Sequence, residues 1–94
     1  MSSPQVESAV PAPDDFLTAL EDAYHEVKRM RRSIRMDDSL SSGLGLDSLA
    51  ATELLLALEQ RYGIELIGTE AVGRVRTVAE LHALVTELVS VRTA

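Results

Sequence analysis

Three stretches of this sequence repeat apolar residues at helical spacing, and no stretch alternates them with the period of two that a half-buried strand requires. Phe16, Leu17, Leu20, Ala23, Tyr24, Val27 and Met30 predict a first helix over residues 15 to 31. Leu54, Leu55, Leu58 and Tyr62 form the inward stripe of a second, from Ser48 to Tyr62. Val78, Leu81, Leu84, Val85, Leu88 and Val89 supply a third. An amphipathic helix must bury its apolar stripe against another element, so these three pack on one another around a single core. The 94 residues have room for one such core, and all three prolines lie at or before Pro13, where they interrupt none of the helices.

The ends of these segments carry chemistry of the expected sign. Asp14 and Asp15 open the first helix, and Lys28, Arg29, Arg31 and Arg32 stand at its close, each set opposite in sign to the helix dipole it meets. Gly63 is placed to stop the second helix. Thr77 and Glu80 match the reciprocal capping pattern at the start of the last. Gly68 and Gly73 bracket Thr69 to Val72, enough for one short helical turn. The expected fold is therefore all-α: a four-helix bundle of three long helices and one short. A long loop, Ser33 to Asp47, joins the first two helices and is pinned by Ile34, Met36, Leu40, Leu44 and Leu46. Residues 1–13 read as a disordered tail, 14–91 as the domain and 92–94 as a C-terminal tail.

Composition removes several classes of function. With no cysteine there is no disulfide, thiolate metal site or cysteine nucleophile, and a cytoplasmic protein is expected. Fifteen acidic against nine basic residues give a net charge of −6, which disfavours nucleic acid and favours basic partners. The basic cluster of Lys28, Arg29, Arg31, Arg32 and Arg35 lacks interleaved aromatics and reads as helix-end complementarity. His25 and His82 stand apart, without carboxylates or histidines at metal-ligand spacing. No apolar run is long enough for a membrane span, and a monomer is expected.

The informative segment is Leu44-Gly45-Leu46-Asp47-Ser48-Leu49, which ends on the first turn of the second helix. A serine there lies where free backbone N–H groups and the helix dipole favour negative charge, a field that suits a phosphate ester on its hydroxyl. Two readings of this junction stand side by side: Asp47 or Ser48 simply caps the helix, or Ser48 presents a hydroxyl for modification.

From about Asp14 to Val91 the arrangement resembles the acyl carrier protein family. The resemblance rests on Asp38-Ser39-Leu40, on the Leu44 to Leu49 segment, on Glu53-Leu54, Ala57-Leu58-Glu59 and Tyr62-Gly63-Ile64-Glu65-Leu66, and on Thr77-Val78-Ala79-Glu80-Leu81. It implies that Ser48 receives 4′-phosphopantetheine from coenzyme A through a separate magnesium-dependent phosphopantetheinyl transferase, with Asp47 beside it for recognition by that enzyme. It implies further that acyl groups ride on the arm as thioesters, that the chain itself catalyses nothing, and that the interior opens into a small apolar pocket.

Docking in that family uses the exposed face of the second helix, and the matching positions are Leu49, Thr52, Glu53, Leu56, Glu59 and Gln60. Leu56 reads either as an outward apolar spot with an acidic rim or as a partly buried leucine. The chain departs from fatty-acid carriers at Ser42 and Gly43 and again at Arg74 and Arg76, where the family is more acidic. This pattern resembles a discrete carrier of a specialised polyketide or related pathway, served by a ketosynthase or an acyltransferase. An aminoacyl or peptidyl carrier loaded by an adenylation enzyme is the alternative, and a helical interaction module without covalent cargo is the other.

Overall fold

The computed structural model describes residues 11–93, with side chains to Val91, so the first ten residues of the expected tail lie outside the described residues, as does Ala94. Three long helices, α1 (Pro13–Lys28), α2 (Ser48–Tyr62) and α3 (Val78–Thr93), account for half of the chain, with a 3-10 helix at Ala71–Arg74. The all-α expectation holds. Among the described residues the one β-type pairing is an isolated antiparallel bridge between Ser39 and Thr77. No helix of the described residues is long and apolar enough to cross a membrane.

Helix α1 begins earlier and ends earlier than its apolar spacing predicts. Pro13 occupies its first turn, where the missing N–H costs nothing and the fixed φ suits a helix, and the Phe16 amide donates to the Ala12 carbonyl at 2.8 Å. Pro11, assigned to the tail by composition, is buried, and its carbonyl is bound by His82 Nε2 at 2.9 Å. At the other end Arg29 adopts φ 62°, a left-handed residue that closes the helix while its amide donates to the His25 carbonyl at 2.8 Å. Met30, expected in the inward stripe, is consequently 52% exposed. The chain then folds back along α1: Glu21 accepts the Ile34 amide at 2.9 Å, and Ile34 is buried in the core.

The remaining elements follow the sequence closely. Gly63, at φ 67°, ends α2 in the left-handed region, where glycine carries no Cβ penalty. At the start of α3 the Glu80 amide donates to Thr77 Oγ1 at 3.2 Å, and Glu80 Oε1 accepts the Thr77 and Arg76 amides at 3.3 and 2.7 Å. Gly73 does not stop the short helix as predicted but lies within it.

One core joins every element. Phe16, Leu20, Leu54, Leu58, Leu66, Val78, Leu81, Val85 and Val89 are fully enclosed, and the loop adds Ile34, Leu44 and Leu46. Met36 and Leu40 pack against its edge. Around this loop the Leu40 amide donates to the Arg76 carbonyl at 2.9 Å, the Val78 amide to that of Asp38 at 3.0 Å, and the Ala79 amide to that of Met36 at 2.8 Å. The long connection is thus stitched to the start of α3, and its last residues are delivered in a fixed register to the start of α2.

Candidate functional site

At the start of α2 the capping role falls to Asp47 and not to Ser48. Asp47 is the N-cap, in extended conformation, and its Oδ1 accepts the Ala50 amide at 2.8 Å. Its carbonyl accepts the Ala51 amide at 2.8 Å and so begins the helical ladder. Ser48 is thereby relieved of capping. It is exposed in the first turn, and its hydroxyl has no partner among the described side-chain hydrogen bonds.

The surroundings suit an anionic group on that hydroxyl. At the first positions of a helix the amides of Ser48 and Leu49 have no intrahelical acceptor, and the dipole adds partial positive charge. Three residues upstream, a Cβ built on Gly45 meets nothing within 4 Å, so the chain is open at that position. An exposed hydroxyl and adjacent amides without an intrahelical acceptor fit a phosphodiester at Ser48. Burial raises the Tyr62 phenol above its ordinary value. Tyr62, however, closes α2 at the end opposite Ser48, about 20 Å away along the axis, and so bears on the packing rather than on this serine.

The predicted face of α2 separates into two parts. Leu49 is 68% exposed and Leu56 44%, with Thr52, Glu53 and Gln60 exposed alongside them. Residues 49, 53, 56 and 60 follow helical spacing, which places them on one face. Leu56 is therefore outward. Glu59 is not part of this exposed set: it is half-buried, and its Oε2 accepts the amides of Leu66 and Ile67 at 2.6 and 2.7 Å. Its carboxylate is committed to the chain that follows α2. That turn brings Ile67, 40% exposed, against the same helix, an apolar surface residue the spacing of α2 could not indicate.

Upstream of the serine, α1 and the segment just after it hold the backbone that leads to it. Arg32 Nη1 donates to the Gly43 carbonyl at 2.8 Å, Tyr24 Oη to the Leu44 carbonyl at 2.9 Å and Lys28 Nζ to the Gly45 carbonyl at 3.4 Å. The basic residues read as dipole complements thus have a second use in the loop. Gly43 is needed for a different reason: a Cβ there would lie 2.6 Å from the Ser39 carbonyl oxygen.

Beside this region a cavity of about 150 Å³ opens between the loop, α2 and α3, lined by Leu40, Leu46, Ala51, Leu54, Val75 and Leu81 among others. Leu46 and Ala51 flank Ser48 in sequence, so the cavity lies along the turn that presents the hydroxyl.

The family model described as "Phosphopantetheine attachment site" matches residues 25–85. An acyl carrier protein of Campylobacter hominis is 41% identical over 39 residues, which cover 42% of this chain and about half (49%) of that relative. Two solution structures are similar over most of the chain. The acetyl actinorhodin acyl carrier protein of Streptomyces coelicolor has a TM-score of 0.63 at 30% identity, covering 88% of this chain and 95% of that one. Its 3,7-dioxo-octyl form has a TM-score of 0.66 at 29% identity, covering 90% and 98%.

Proposed function

This chain belongs to the phosphopantetheine-attachment family, and from that membership we propose that it is an acyl carrier protein whose arm is attached at Ser48. The observation that carries the assignment is the exposed Ser48 hydroxyl in the first turn of α2, with the cap supplied by Asp47 instead. Ser48 and Leu49 offer their amides to the phosphodiester, and Asp47 lies beside it where the transferase must bind. When attached, the group supplies a thiol that holds acyl chains as thioesters, which this cysteine-free chain cannot provide for itself.

The protein's own residues position and address the cargo. Leu49, Thr52, Glu53, Leu56 and Gln60 form a surface of exposed leucines beside a carboxylate, suited to a partner with an apolar patch and a basic rim. Phosphopantetheinyl transferase and the acyl-loading and chain-processing enzymes are the proposed users of this face. The cavity along α2 offers an apolar refuge to the first part of a bound chain.

A specialised, polyketide-type pathway is the favoured setting. The similar solved structures are of an actinorhodin carrier, in acetyl and dioxo-octyl forms, over nearly their whole length. Leu46 stands where peptidyl carriers more often show a second glycine, which favours the acyl branch; here it is buried and lines the cavity.

The test is incubation with coenzyme A, magnesium and a broad-specificity transferase, read by intact mass. The native chain gains one phosphopantetheine and Ser48→Ala gains none. A native chain that stays at its original mass, or a Ser48→Ala chain that is modified equally, overturns the assignment.

A further inference from the structure

Three successive carbonyls, those of Gly43, Leu44 and Gly45, are each met by a donor from α1 or the residues just after it. Tyr24 and Lys28 are four residues apart on α1 and so lie on one side of it, while Arg32 reaches the loop from the segment that follows the left-handed turn at Arg29. The central contact is the most enclosed: Tyr24 is 3% exposed and Leu44 1%. A carbonyl in that position has no water to fall back on, so the phenol is its required partner. Arg32 also approaches Asp38 at 3.6 Å, and Asp38 in turn accepts the Arg35 amide at 2.8 Å, which ties the two halves of the loop together. From Gly45 to Ser48 there is little slack, because Leu46 is buried and Asp47 is fixed as the cap.

We propose that Tyr24, Lys28 and Arg32 are positioning residues that clamp the Gly43–Gly45 backbone and thereby hold Ser48 in the conformation a phosphopantetheinyl transferase binds. The proposal rests on Ser48 being the attachment residue. The clamp touches neither the serine nor the incoming group; it acts through the fraction of molecules whose approach segment is already in place. A protein whose competent form is only fractionally populated binds its partner more weakly by that same fraction. Loosening the clamp therefore raises the KM of the transferase for this chain and leaves kcat nearly unchanged, since the bound complex has already selected the competent form.

The experiment compares the native chain with Tyr24→Phe, Arg32→Met and Arg32→Lys. Transfer from coenzyme A is measured at varied carrier concentration, and amide hydrogen exchange is measured at Leu44, whose N–H is bound by the Ser39 carbonyl at 2.9 Å. Tyr24→Phe and Arg32→Met are expected to raise KM about three- to tenfold with kcat within about twofold, and to speed exchange at Leu44 relative to α2. Arg32→Lys, which keeps a donor, stays nearer the native KM. Unchanged KM in both variants, with or without faster exchange, overturns the clamp, as does a fall in kcat alone. Arg32 lies at the surface, so Arg32→Met decides the matter even if Tyr24→Phe fails to fold. A native chain that takes no phosphopantetheine refutes the carrier assignment and the clamp together. Normal modification of the native chain with equal KM in the variants refutes the clamp alone.

Discussion

Glu59 Oε2 accepts the backbone amide of Leu66 at 2.6 Å, and Leu66 is a wholly enclosed core residue. The same oxygen accepts the Ile67 amide at 2.7 Å, so one carboxylate secures the chain as it leaves α2 and turns into the core. A residue on α2 that resembles a docking acid is thus part of the scaffold, and the exposed acid on the outer face is Glu53.

Glu59→Ala should destabilise the domain by about 2–3 kcal/mol, since it removes two charge-assisted hydrogen bonds and leaves an enclosed amide without a partner. Glu53→Ala should leave stability within about 0.5 kcal/mol while slowing modification by the proposed transferase. Urea titration gives the first comparison and modification kinetics the second. Equal stability of the two variants would remove Glu59 from the scaffold.

Gly43→Ala and Gly45→Ala separate two reasons for a glycine. At Gly43 the new Cβ would lie 2.6 Å from Ser39 O and 2.8 Å from Ser39 N, both backbone atoms that cannot swing aside. The overpacking cost is about 1–3 kcal/mol, and it disturbs the Leu44 amide bond to the Ser39 carbonyl. At Gly45, φ is 68° and the space is empty, so the cost is the left-handed conformation alone, about 1 kcal/mol. Thermal melts should rank Gly43→Ala below Gly45→Ala; the reverse order is incompatible with the close approach at Ser39.

Arg29→Gly should raise stability. Arg29 closes α1 at φ 62°, a conformation that costs a residue with a Cβ about 1 kcal/mol and glycine almost nothing. The gain is partly offset by the loss of a cation at the helix C-terminus, so about 0.5 kcal/mol is expected from chemical denaturation. A destabilised variant would mean that the guanidinium contributes more than its backbone strain removes.

The main helices and the exposed serine at the start of α2 were legible because they depend on local order. Leu54 and Leu58 recur at a helical period, Gly63 can take the left-handed residue that ends α2, and Asp47 is a residue type that caps. The end of α1 was not legible for the converse reason. Val27 and Met30 continue the period, and nothing in Arg29 announces a left-handed residue; the helix stops because Glu21 captures Ile34 and the core takes its side chain.

The sequence by itself determined that this chain forms three amphipathic helices with a serine at the first turn of the second, because periodicity and capping are properties of neighbouring residues. Only the tertiary structure decided which polar groups serve the scaffold. Tyr24 meets the Leu44 carbonyl across 20 residues, and His82 meets that of Pro11 across 71. Such pairings depend on where the packed core leaves a carbonyl without water, which no local pattern records.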